Sequence, residues 1–197
     1  MVVIVVLLIG VLIGLLLAWL LFRRAPAPPP PPPPPPPRIP DQFDPPALSG
    51  ALQTRLQGTT ADGSAAVGVV GSQVIWVDAG DEVLVHLDSI QTRILDRLVL
   101  ISVDLESDQT GRTPLIVSFA LGNASDPAGL VVATDEFPRG DGRLAARWGQ
   151  SVQAAVWASL LSLAQEHADE RGKAPVGISA APGTLTLHAG DFVKATA

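Results

Sequence analysis

Ten consecutive prolines, residues 28–37, divide this 197-residue chain, since neither helix nor strand can be built through them. Proline fixes φ and lacks the amide donor that both regular structures need, so the run is expected to be a polyproline II rod. With its flanks, residues 25–40, the rod would extend ~50 Å at ~3.1 Å per residue. The segments on its two sides therefore have to fold separately. Such runs also serve as ligands for aromatic-lined grooves, but that use requires a cognate partner, and a spacer is the simpler expectation.

The segment before the rod, residues 2–22, reads VVIVVLLIGVLIGLLLAWLLF and contains no charged side chain. As a helix it would be ~30 Å long, which matches the hydrocarbon core of a bilayer. A cleaved secretory signal has a basic start, a shorter apolar run and a small-residue cleavage site. Here nothing basic precedes the run and Arg23-Arg24 stands where cleavage would fall, so residues 1–24 are expected to be a retained single-pass anchor. The same two arginines favour the cytoplasmic side, which puts the rest of the chain there, and Trp19 suits headgroup level. Gly10, Gly14 and Ala18 share one helix face, the small-xxx-small pattern that lets two membrane helices approach closely. It points to a homodimer or to packing on a partner's helix.

The chain carries 13 Lys or Arg and 19 Asp or Glu, a formal net charge of −6. Three of the bases, Arg23, Arg24 and Arg38, lie before residue 41 and none of the acids does, so residues 41–197 hold ten bases against nineteen acids, net −9. An acidic body without a basic stripe disfavours nucleic acid as a partner, because phosphate contacts need a basic surface. The lack of cysteine excludes disulfides, thiolate metal sites and cysteine nucleophiles.

Residues 41–66 turn to Pro, Gly, Ser, Thr and Gln and are expected to be a flexible linker. Within them, Pro45-Pro46 precede Leu48, Leu52 and Leu56 at four-residue spacing, and Gly58 stops the pattern. This predicts a short amphipathic helix that needs a surface to dock on. A folded domain is expected over 67–197. Alternating Val and Ile predict strands at 73–77, 82–87, 98–106 and 115–121, with turns at 78–81 and 108–111 and a further short strand at 130–133. Residues 88–97 fit two patterns: a short helix capped by Asp88 and Gln91, or a strand running on to a turn at Leu95-Asp96. The long hairpin is preferred. Asp141 is the N-cap of a helix predicted to run to Arg171, with Leu144, Trp148, Val152, Val156, Leu160, Leu163 and His167 on one face and Gly172 as its stop. A last hairpin turns at Pro182-Gly183. The fold class is α+β: a transmembrane helix, then an antiparallel sheet of about five to seven strands packed on one long helix.

If the strands on either side of Asp96 pair in an even-sum register, His86, Asp88, Ser102, Asp104 and Glu106 share one face. A histidine among carboxylates can bind a divalent metal or act as an oriented base, which makes His86, Asp88 and Asp104 the candidate catalytic residues. The plainer expectation is a solvated outer sheet face, because no hydroxyl nucleophile or second histidine is tied to the group by sequence. Asp104, Glu106 and Asp108 alternate as in a calcium loop, but Gly111 comes two positions late and Leu115 stands where the bidentate acid belongs. His167, on the apolar stripe, reads as a core or rim residue, and His188 as exposed. Asn123-Ala124-Ser125 matches the glycosylation sequon, which a cytoplasmic domain would not use. No phosphate loop, dinucleotide fingerprint, G-x-S-x-G or H-E-x-x-H occurs, and no cofactor or metal is expected. Three features concern placement and none concerns chemistry. The expected function is thus a membrane-anchored, non-enzymatic module that presents a protein-interaction domain, such as a subunit of a membrane complex. The alternative is a small-molecule or lipid-binding domain with a pocket between the long helix and the sheet.

Overall fold

The computed structural model describes Trp19 and residues 39–59, 68–128 and 138–191. The proline run, the strand expected at 130–133, and Gly10, Gly14 and Ala18 of the expected anchor lie outside the described residues. No helix among the described residues is long and apolar enough to cross a membrane. The chain divides into two compact units, Met1–Pro37 and Arg38–Ala197, and the second is the body of the protein.

The body is α+β. In chain order it contains β1 (Gln42–Phe43), α1 (Pro45–Leu56), β2 (Gly68–Val70), β3 (Gln73–Asp78), β4 (Asp81–Leu95), β5 (Leu98–Ser107), β6 (Gly111–Ala120), α2 (Gly142–Asp169), β7 (Ala174–Ala181) and β8 (Thr184–Gly190). These make two antiparallel sheets, one of five strands in the order β2-β3-β4-β5-β6 and one of three in the order β1-β8-β7.

Turn chemistry closes the hairpins where the sequence indicates. Ala79 and Gly80 both take positive φ (49° and 88°) between β3 and β4, the primed geometry whose twist suits a two-residue hairpin. Pro182-Gly183 turns β7 into β8 with Gly183 at φ 78°. Period-two alternation sends Val99, Ile101, Val103 and Leu105 of β5 into the core, and the register sets Val99, Ile101 and Val103 against Phe119, Val117 and Leu115 of β6. Asp141 caps α2 by accepting from the Arg143 amide at 3.0 Å, and Gly172, at φ 62°, ends the helix. The apolar side of α2 packs on β6, β7 and β8, and Trp157 stacks on Phe119 with ring centroids 5.5 Å apart.

Residues 41–59 are not a loose linker. Asp44 accepts from the Ala47 amide at 2.8 Å and starts α1, whose Leu48, Leu52 and Leu56 are buried between β4 and α2. The indole of Trp76 donates to the Thr59 carbonyl at 2.9 Å and holds the far end of the segment. Composition suggested flexibility because a helix of 12 residues is marginal alone, and the core supplies what it lacks.

Residues 88–97 are strand. β4 runs through them with one irregularity, between the pairs His86↔Asp104 and Gln91↔Ser102, where four of its residues face Val103 alone. Ser89 fills the gap: its hydroxyl donates to the His86 carbonyl at 2.6 Å and accepts from the Asp104 amide at 2.7 Å. Leu87 and Ile90 can therefore both turn into the core on either side of a bulge. At the turn of this hairpin the Arg97 amide donates to Ala180 at 3.1 Å, and Gly183 donates to Ile94 at 3.0 Å, which ties the two sheets together.

Candidate functional site

The bulge decides where the predicted site residues go. Even-sum pairing holds only beyond it, where His86 faces Asp104 and Leu84 faces Glu106. Toward the turn the sum is odd, and Ser102 faces Gln91. Asp88 lies in the bulge itself, exposed and without a side-chain partner among the described residues, so it does not join His86 and Asp104. His86 is only 3 % exposed, although the outer sheet face was expected to be solvated. Its Nε2 donates to Glu106 Oε2 at 2.7 Å and its Nδ1 accepts from the Gln73 amide at 3.2 Å. Asp104 binds Arg112 at 2.8 Å. Both imidazole nitrogens are thus in use, which leaves His86 neither a lone pair for a metal nor a free site to take a substrate proton. Among the described residues no group of three or more His, Asp or Glu side chains could hold a metal ion.

A second constellation joins the two ends of the body. Asp41, one residue before β1, accepts from His167 Nε2 at 2.9 Å and forms an ion pair with Arg171. Arg171 also donates to the His167 carbonyl at 2.8 Å and the Ile39 carbonyl at 3.1 Å, while the Ile39 amide donates to Glu170 at 2.8 Å. The hydrogen bond from His167, followed by the charge of Arg171, holds the Asp41 carboxyl below its ordinary range. His167 is buried, and its Nδ1 has no hydrogen-bond partner among the described residues. The helical stripe placed this histidine correctly at a packed surface, but its partner lies 126 residues away and left no local signal.

Ser179 and His188 form a third pair, 2.7 Å apart across β7 and β8. His188, expected to be exposed, is half-buried, and this burial, with the neighbouring charge of His167, pushes its pKa below the ordinary value. A hydroxyl against an imidazole is the start of nucleophile activation, but the buried Ser179 offers no approach to a substrate. Asn123 of the sequon is used locally: its side-chain oxygen accepts from the Ser125 and Asp126 amides at 3.0 and 2.9 Å and closes a turn.

Open space lies at the end of the helix–sheet interface. Trp148, Val152, Val156, Leu160 and Leu163 of α2 are all buried, so the interface itself is filled. At the N-terminal end of α2 a cleft of about 510 Å³ opens between the β3–β4 and β5–β6 turns, with Glu82, Asp108 and Arg143 on its walls. Arg147 in the same wall is held by Asp81 at 2.7 Å and Asp78 at 2.8 Å, which keep its guanidinium above the ordinary arginine range. The chain matches no family profile, no curated protein and no solved structure.

Proposed function

We propose that the chain is a membrane-anchored, non-enzymatic module whose body, carried on the proline spacer, presents a protein-binding surface. One observation carries this reading. The five-stranded sheet turns one face to the helices, and on the other Val70 and Val77 are exposed beside the half-buried, register-paired Ile75 and Leu84, whereas the charged groups near that face are mostly spent on one another. Apolar side chains grouped on an otherwise polar surface are the raw material of a protein interface. The anchor at residues 2–22 and the arginines after it supply the placement, with the body on the cytoplasmic side. Gly10, Gly14 and Ala18 offer a seam for a homodimer or for a partner's helix.

The test is crosslinking of the full chain in membranes, wild type against a Val70→Asp/Val77→Asp double variant whose circular dichroism is unchanged. A crosslinked species present in the wild type and missing from the variant is expected, and equal recovery from both would overturn the outer face as the binding surface. A reporter fused to the C-terminus tests orientation: activity of one that works only outside the cytoplasm reverses the topology.

The cleft favours a second reading, a small-molecule site, because its volume falls in the range of ligand pockets. Its charged walls suit a polar ligand rather than a lipid tail.

A further inference from the structure

The chain leaves the proline run and meets the body at residues 39–42, and polar groups hold those four residues in place. Ile39 is bound through its backbone to Glu170 and Arg171, and Asp41 through its side chain to His167 and Arg171. The Leu187 amide donates to the Asp41 carbonyl at 2.9 Å, and Gln42 pairs with Thr186 on the edge of β8. The attachment is therefore a short edge strand held by a few polar contacts, centred on one carboxylate whose side chain is 67 % exposed, together with the half-buried Ile39 packed at the margin of the core. One residue later the character changes. Phe43 is buried, and α1 comes next with its three leucines in the core. Short, polar, solvent-reached edges sit at the low end of the local-opening scale, and buried apolar segments at the high end.

We propose that residues 39–42 are a releasable strap, hinged at Phe43 and latched by the Asp41–His167–Arg171 group. Closed, the strap fixes the entry point of the spacer at the C-terminal end of α2. That is the opposite end from the cleft, ~35 Å away along a helix rising ~1.5 Å per residue. Open, it lengthens the tether by about 13 Å at ~3.3 Å per residue and bares the edge of β8. His167 is the built-in weak point, since its buried Nδ1 gains no partner among the described residues in the closed state. The groups facing the latch are Glu170 and Arg171 from the turn that ends α2, His188 from β8 and Ile39's backbone from the strap.

Hydrogen exchange on the full chain in detergent micelles tests this. In the wild type the Leu187 amide should exchange at least ~100-fold faster than the amides of β5, because it opens locally. Asp41→Ala should speed Leu187 by a further ~tenfold and leave β5 within about twofold. The chain has no cysteine, so Gln42→Cys/Thr186→Cys, oxidised, gives one bridge across a register pair, and it should slow Leu187 selectively. Leu187 exchanging together with β5 in the wild type, or unmoved by the bridge, would overturn the strap. So would an Asp41→Ala variant in which β5 accelerates as much as Leu187. Only the change in tether length rests on the spacer reading. Failure of the anchor would appear in the reporter fusion and leave these exchange rates untouched.

Discussion

His86 and His167 make the same pairing in two parts of the body. Each is a buried imidazole, its side chain 3 % exposed, that donates Nε2 to a carboxylate that solvent reaches, Glu106 or Asp41. The difference lies in the second nitrogen and in what carries the acid. His86 Nδ1 is bound by Gln73, and all three residues belong to adjacent strands of one sheet, so opening the pair means opening the sheet. His167 Nδ1 has no partner among the described residues, and its acid sits just before a two-residue edge strand at the end of a tether. The same chemistry stabilises a sheet in one place and makes a joint in the other. Its setting, and not the residue pair, decides which.

That contrast can be broken in several ways. If the chain becomes core at α1 rather than at β2, Leu52→Ala should cost about 3 kcal/mol in chemical denaturation, within the usual range for a buried leucine. A loss under about 1 kcal/mol would return residues 41–59 to the status of a linker. His86→Ala should cost roughly 1–3 kcal/mol, because the Gln73 amide is left without its acceptor. Ser89→Ala should cost roughly 1–2 kcal/mol, since the Asp104 amide and His86 carbonyl inside the bulge lose their bridge, with the loss spread over β4 and β5 in hydrogen exchange. Asp41→Ala, by contrast, should barely move the global denaturation midpoint.

Acidity sharpens the comparison further. Asp41 titrates below its ordinary 3.8 in the folded chain, so the latch contributes fully above that pH and is lost as pH falls through the lower folded value. A spin label at Gln42→Cys should stay immobile from neutrality down to about pH 4 and loosen below it, as carboxylate linkage requires. The smallest effect belongs to His188. Burial, then the charge of His167, lowers it from 6.5, so stability should be full above pH 6.5 and slip as pH falls below it. His188→Gln should flatten that slope in a thermal scan.

Much of the architecture was legible one residue at a time. The alternation of Val99, Ile101, Val103 and Leu105, the cap at Asp141 and the Pro182-Gly183 turn each carry their instruction within a few neighbouring residues, and each appears where the sequence puts it. The candidate site was only half legible. His86 and Asp104 could be placed on one face, but Asp88 could not be excluded, because the bulge is set by Ser89 reaching across to the Asp104 amide and has no local signature.

By itself the sequence determined the elements and their polarity: a ten-proline divider, an acidic body, a long apolar helix and strands with one greasy face. Period and turn chemistry act over a few residues, and there the chain is its own template. Only the tertiary structure decided that the leucines of α1 belong to the core, that Asp41 latches onto His167, and that Ser179 meets His188. These depend on partners brought from distant positions by packing and hydrogen bonding, whose energies do not exist until the chain has closed on itself.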